Sequence, residues 1–190
     1  MFRRLRLQFI TIASLAILFI LVFTVGIINT VRSFQTEQEI SKVLNTLTEN
    51  NGSFGKTKKI ETNQGHEIPS DSFRFFSVTL SGDKVVSQDT SHTSLIDDEE
   101  AVSYALAASR MTNTLGTIRD KNINLSYQVS KVSKDKILVV FLDTTSYYNS
   151  SQALLSLSIL LSLFGFIFFV VIVSALSGIV IRPFIRNYEK

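Results

Sequence analysis

Cysteine is absent from the 190 residues, so neither a disulfide framework nor a thiolate metal site can form. An extracytoplasmic domain without disulfides has to stand on its core alone, which is more typical of bacteria than of a eukaryotic cell surface. Histidine occurs only as His66 and His92, and neither lies in H-E-x-x-H or another metal-ligand spacing. No G-x-S-x-G, Walker A or Rossmann glycine pattern is present. Charge is missing altogether from two stretches, the 25 residues Leu7–Val31 and the 38 residues Thr144–Ile181. Both are rich in apolar side chains: 16 of 20 in Phe9–Ile28 and 22 of 29 in Ala153–Ile181. A bilayer core needs about 20 such residues in one helix. A soluble enzyme is excluded. The lack of intramembrane charge also argues against a pump or proton relay.

The net charge of +3 divides unevenly. Residues 1–6 contribute +3 through Arg3, Arg4 and Arg6, residues 182–190 contribute +2, and the segment between the apolar runs contributes −2. Basic residues therefore flank the membrane on one side, the positive-inside pattern rather than a phosphate-binding footprint. No nucleic-acid partner is expected. Both termini are expected in the cytoplasm of a bacterial cell, with the middle outside and lipid as the surroundings of both spans. The first run is longer than a signal-peptide core and has no A-x-A cleavage pattern, so it reads as an uncleaved anchor. The N-x-S sequons at Asn51, Asn124 and Asn149 are then chance matches.

These observations divide the chain into a cytoplasmic start (1–8), a first span (9–31), an extracytoplasmic domain (32–150), a second span (153–181) and a juxtamembrane exit (182–190). Ile40, Val43, Leu44 and Leu47 recur at helical spacing, and no Pro or Gly separates them from the first span, so the membrane helix is expected to continue outward. Gly52 is available for a left-handed cap after Asn50. A loop with a weak strand near Lys58–Glu61 follows. Phe73–Leu80 and Lys84–Gln88 form a hairpin around Ser81-Gly-Asp83, with Phe76, Val78 and Leu80 on one face. Asp97–Met111 reads as a helix with Val102, Ala105 and Leu106 on one side and a capping-box-like start at Asp97 and Glu100. Leu125–Val132 and Ile137–Leu142 are strands, and the second is apolar at every position, as befits the middle of a sheet covered on both sides. The fold class is α+β, with two or three strands after the second helix and an antiparallel sheet.

The chemistry-bearing candidates mostly have bland explanations. Asp97-Asp-Glu-Glu100 suits the positive end of a helix and lacks the alternating spacing of a calcium loop. Lys56, Lys58 and Lys59 form a solvated basic cluster. Phe73 and Phe75 face away from Phe76; they pack under the N-terminal helix or line a ligand cavity, and packing is favoured. His92 follows a strand at a possible pocket rim, and its ordinary pKa near 6.5 would suit pH sensing. Ser158 with Ser162, and Ser174 with Gly178, place small residues four apart in the second span, a pattern that permits helix dimerisation. Pro183, lacking an N–H, is where that helix should bend or end, and it is the expected coupling point between membrane and cytoplasm.

A resemblance joins these features. Phe75-Phe76-Ser-Val-Thr-Leu, Asp89-Thr-Ser-His, Asp97-Asp-Glu-Glu-Ala and Leu138-Val-Val-Phe-Leu-Asp143, in that order, resemble the sensor region of sensor histidine kinases from Gram-positive bacteria. The exit Ile181-Arg-Pro-Phe-Ile-Arg-Asn-Tyr-Glu-Lys190 is similar to the stretch that leads, in those kinases, into the dimerisation helix. The resemblance implies a PAS-like extracytoplasmic domain, with a central antiparallel sheet behind a long N-terminal helix, in a homodimer. It implies ATP, magnesium and a response-regulator partner only for a kinase core that these residues do not contain, and no catalytic residue carries over. The chain therefore reads as the sensory and transmembrane part of a kinase, either a fragment or a truncated product. The alternatives are the input module of a chemoreceptor or cyclic-dinucleotide enzyme, and a stand-alone small membrane protein that binds a partner.

Overall fold

Both uncharged stretches are helical, since a helix pairs every backbone N–H and C=O within its own segment and so tolerates apolar surroundings. The computed structural model describes residues 2–187 except 63, 64 and 121, and their side chains apart from 2, 3, 5, 6 and 177–187. In chain order the elements are α1 (Phe2–Glu49), β1 (Lys59–Glu61), β2 (Glu67–Pro69), a 3-10 turn (Ser70–Ser72), β3 (Phe75–Ser81), β4 (Lys84–Asp89), α2 (Asp98–Ser109), β5 (Leu115–Asp120), β6 (Ile123–Ser133), β7 (Lys136–Asp143) and α3 (Thr145–Asn187). Helices α1 and α3 each contain a window long and apolar enough to span a membrane. The chain divides into two units, Ser33–Ser150 and the residues flanking it on either side.

The domain Ser33–Ser150 is built on a five-stranded antiparallel sheet of order β4-β3-β7-β6-β5. Strand β7 is central, as its unbroken apolar run requires, and it supplies both faces of the core. Leu138, Val140 and Leu142 pack with Phe73, Phe75 and the Ile40, Val43, Leu44, Leu47 stripe of α1. Val139 and Phe141 pack with Phe76, Val78, Leu80, Leu125, Tyr127 and helix α2 on the opposite face. Phe76 and Phe141 stack at 4.6 Å.

Helix α2 lies against this second face through Ala101, Ala105 and Ala108, all fully buried, while Val102 and Leu106 are only half-buried. The expected stripe is thus turned slightly. Small side chains let the helix approach the aromatic layer closely, and the larger Val102 and Leu106 fill its margins. Asp97 caps the helix, its carboxylate accepting the Glu100 N–H at 2.8 Å, and Asp98 accepts the Thr90 hydroxyl at 2.7 Å.

The end of α1 differs from the expectation at one residue. The Gly52 N–H donates to the Leu47 carbonyl at 2.8 Å and the Asn51 N–H to that of Thr48 at 3.2 Å, a Schellman pair whose left-handed position is Asn51, with φ 55°. Gly52 follows with φ 87° for a second reason. A Cβ there would meet the Ser77 side chain, 2.6 Å from its Cβ.

Two strands escape sequence reading. β2 has three residues and pairs with β1, closed by the exposed Lys59–Glu67 ion pair. β5 is an edge strand that contains Gly116, whose missing side chain makes room for the Tyr127 ring; a Cβ there would lie 2.6 Å from the Tyr127 hydroxyl. The backbone of α3 continues to Asn187, so Pro183 does not end the helix. The surroundings of Gly178 and Pro183 lie outside what is described.

Candidate functional site

The aromatic residues singled out in the sequence converge. Phe75 is packed edge-on against Phe54 at 5.1 Å and is stacked by the His92 ring at 4.4 Å. Phe73 completes the cluster at 5.5 Å from Phe54. Phe73 and Phe75 are thus buried in the core beneath α1, whereas His92 is exposed and closes the cluster from outside. The loop carrying His92 is fixed at its start by Asp89, whose carboxylate accepts both the hydroxyl and the N–H of Ser91 at 2.6 and 3.1 Å. Those two bonds, aided by the nearby His92, hold the Asp89 carboxyl below its ordinary range.

Of the three, Phe73 lines a cleft. This open cleft of about 640 Å³ has walls that come from the turn before β3, the loop before α2, the β5–β6 turn and the start of α3. Ile68, Phe73, Leu95 and Ile123 supply apolar surface, and Ser72, Asn122, Ser146 and Asn149 supply neutral polar groups. Two charges line it, Arg74 and Asp143. Arg74 is exposed and enters no salt bridge among the described residues. Asp143 is half-buried; its Oδ1 accepts the Thr145 N–H at 2.9 Å. Its own N–H donates to the Arg74 carbonyl at 2.9 Å, so β7 and the residue before β3 are joined at the cleft floor.

The cleft adjoins a chain of hydroxyl groups that ties the first turn of α3 to the sheet. Thr144, fully buried, donates its hydroxyl to the Asn124 carbonyl at 3.0 Å and lies 3.1 Å from the Ser126 hydroxyl. The Asn124 N–H donates to the Thr145 hydroxyl at 2.9 Å. Only Thr144 separates β7 from α3, so this network ties the first residues of α3 directly to the end of the sheet. Buried polar groups that are fully paired define one arrangement sharply, because any other leaves them unsatisfied. Sequence reading assigned no role to Arg74, Asp143 or Thr144. The available signal was weak: one arginine inside an aromatic run, and an Asp-Thr-Thr between a buried strand and an apolar helix.

In the flanking unit, half-buried side chains recur every three or four residues on each helix. On α3 they include Leu154, Ser158, Ser162, Phe166, Val173 and Ser174; on α1 they include Ile10, Ser14, Ile17, Leu21, Val25 and Asn29. Three of the four small residues singled out in α3 thus share its less exposed stripe, and Ser158 turns its hydroxyl back to the Leu154 carbonyl at 2.8 Å. Among the described residues no group of three or more His, Asp or Glu side chains could hold a metal ion. Compared with known protein families, curated proteins and solved structures, the chain matches none of them.

Proposed function

We propose that this chain is the signal-input part of a bacterial membrane receptor, and specifically of a two-component sensor histidine kinase. One observation carries the reading. The two helices apolar enough to cross a bilayer are the same elements that build the domain: α1 supplies the core stripe Ile40–Leu47, and α3 leaves β7 after a single residue held by the hydroxyl network. An anchored enzyme or adhesin needs no such continuity, whereas a receptor does. The exposed Phe9, Leu15, Phe19, Leu161, Phe164 and Phe168 suit a lipid environment. The basic ends favour cytoplasmic termini in a bacterial cell membrane. The antiparallel sheet behind a long N-terminal helix supports a PAS-like domain, and the order of motifs along the chain supports the kinase family.

In this reading a stimulus shifts the domain between two packings, and α3 carries the difference across the membrane to a kinase core beyond this chain. That core would use ATP and magnesium and pass phosphate to a response regulator. A stimulus acts only through its differential affinity for the two states, about 1.4 kcal/mol for each tenfold difference. Homodimerisation through Ser158, Ser162, Ser174 and Gly178 and coupling through Pro183 belong to the same proposal.

The absence of cysteine makes the test clean. Ser91→Cys should react with a membrane-impermeant maleimide in intact cells, whereas Lys190→Cys should react only after permeabilisation. A shielded position 91 overturns the topology. With the chain fused ahead of a histidine-kinase core in nanodiscs, Thr144→Val should change autophosphorylation by about fivefold or more, within the usual range of coupling energies. Unchanged phosphorylation would refute the route through α3.

A further inference from the structure

We propose that the cleft beside α3 is a binding site for a free α-amino acid with an apolar side chain. The inference rests on the receptor reading in one respect, that the cleft lies outside the membrane and opens to solutes. Its chemistry is read from the walls. Arg74 and Asp143 are the two charged groups that line the cleft, one of each sign. Arg74 has no carboxylate partner among the described residues, and its planar guanidinium matches a carboxylate through two parallel N–H bonds. Asp143 uses Oδ1 for the Thr145 N–H, and Oδ2 has no hydrogen bond among the described residues. A ligand bearing a carboxylate and an ammonium on one carbon meets both groups; a simple anion meets the first and is repelled by the second. Ile68, Phe73, Leu95 and Ile123 supply the apolar wall for its side chain. A volume of about 640 Å³ lies within the range of small-molecule sites and admits a large side chain.

The position gives such binding a consequence. Asp143, Thr145, Ser146, Tyr147 and Asn149 all line the cleft, and Thr145 is also the residue whose hydroxyl receives the Asn124 N–H. A ligand drawn to Asp143 Oδ2 loads the same carboxylate whose Oδ1 accepts the Thr145 N–H at the start of α3. Occupancy therefore acts on the helix at its root.

The test uses the full chain in phosphatidylcholine nanodiscs and isothermal titration with L-phenylalanine and L-leucine, to about 10 mM. N-acetyl-L-phenylalanine lacks the ammonium and stands for a peptide C-terminus; L-phenylalaninamide lacks the carboxylate. Saturable binding of the free amino acids is expected, weakened about tenfold or more in each analogue, as for loss of one charge-assisted contact. Arg74→Gln, at an exposed position, should weaken L-phenylalanine by a similar factor without changing the thermal midpoint. Asp143→Asn keeps an oxygen for the Thr145 N–H and should weaken L-phenylalanine but not the acetylated compound. No saturable binding of either amino acid overturns the proposal, as does unchanged affinity in Arg74→Gln. Tighter binding of the acetylated compound would replace the free amino acid by a peptide terminus and overturn it equally. None of these outcomes touches the maleimide topology, so failure here and failure of the receptor reading are distinguishable.

Discussion

Gly52 joins the end of α1 to the sheet, and replacing it with alanine should cost more than backbone strain alone. Its φ of 87° lies where an L-residue with a Cβ is penalised by about 1–2 kcal/mol. Beyond that, the added methyl would stand 2.6 Å from Ser77 Cβ and 3.5 Å from Leu138 Cδ1. Ser77 is buried on β3, which pairs with the central strand, so the neighbour cannot swing away into solvent. Forcing a methyl into a packed site costs about 1–3 kcal/mol, for a total of about 2–5 kcal/mol. Gly82 is the matched control. It also has positive φ, 59°, but a Cβ there meets nothing within 4 Å, so Gly82→Ala should lose only the backbone part. Urea unfolding of the isolated Ser33–Ser150 domain, which has its own two-sided core, measures both. The Gly52 variant should show the larger drop in midpoint at an unchanged slope. Equal losses at the two glycines would refute the close approach of the α1 cap to β3.

Leu44, fully buried beneath α1, should cost about 2–5 kcal/mol as Leu44→Ala, whereas Phe34→Ala, at a side chain 61% exposed, should stay within about 0.5 kcal/mol in the same isolated domain. Asp97→Ala removes the carboxylate that accepts the Glu100 N–H and should lower stability by about 1 kcal/mol, read as a fall in thermal midpoint. Burial and then the bond to Asp120 push the Tyr104 hydroxyl up to about 12. The folded state therefore keeps this proton where the unfolded chain has lost it; the contribution is full below about pH 10 and is lost as pH rises towards about 12. Tyr104→Phe should flatten that part of the stability–pH curve, and an identical curve would count against the Tyr104–Asp120 contact.

Two kinds of feature were legible in the residues themselves. The membrane-type helices follow from composition, because a long uncharged run has one way to satisfy its backbone away from water. The central strand, the β3–β4 hairpin, the α1 stripe and the Asp97 cap follow from periodicity and local hydrogen-bonding chemistry, which act over a few neighbouring residues. The tertiary structure decided the rest. Strand β5 is stabilised mainly by its partner β6 and by the room Gly116 leaves for Tyr127, eleven residues along the chain, so its own sequence carries little strand signal. Helix α2 turned its alanines inward because closeness to the Phe76–Phe141 stack outweighs the burial of Val102 and Leu106. The cleft is assembled from four separate segments, and only the fold brings Arg74 and Asp143 to one cleft. Charge, hydrophobic period and capping are properties of neighbours in sequence, while a binding surface is a property of neighbours in space.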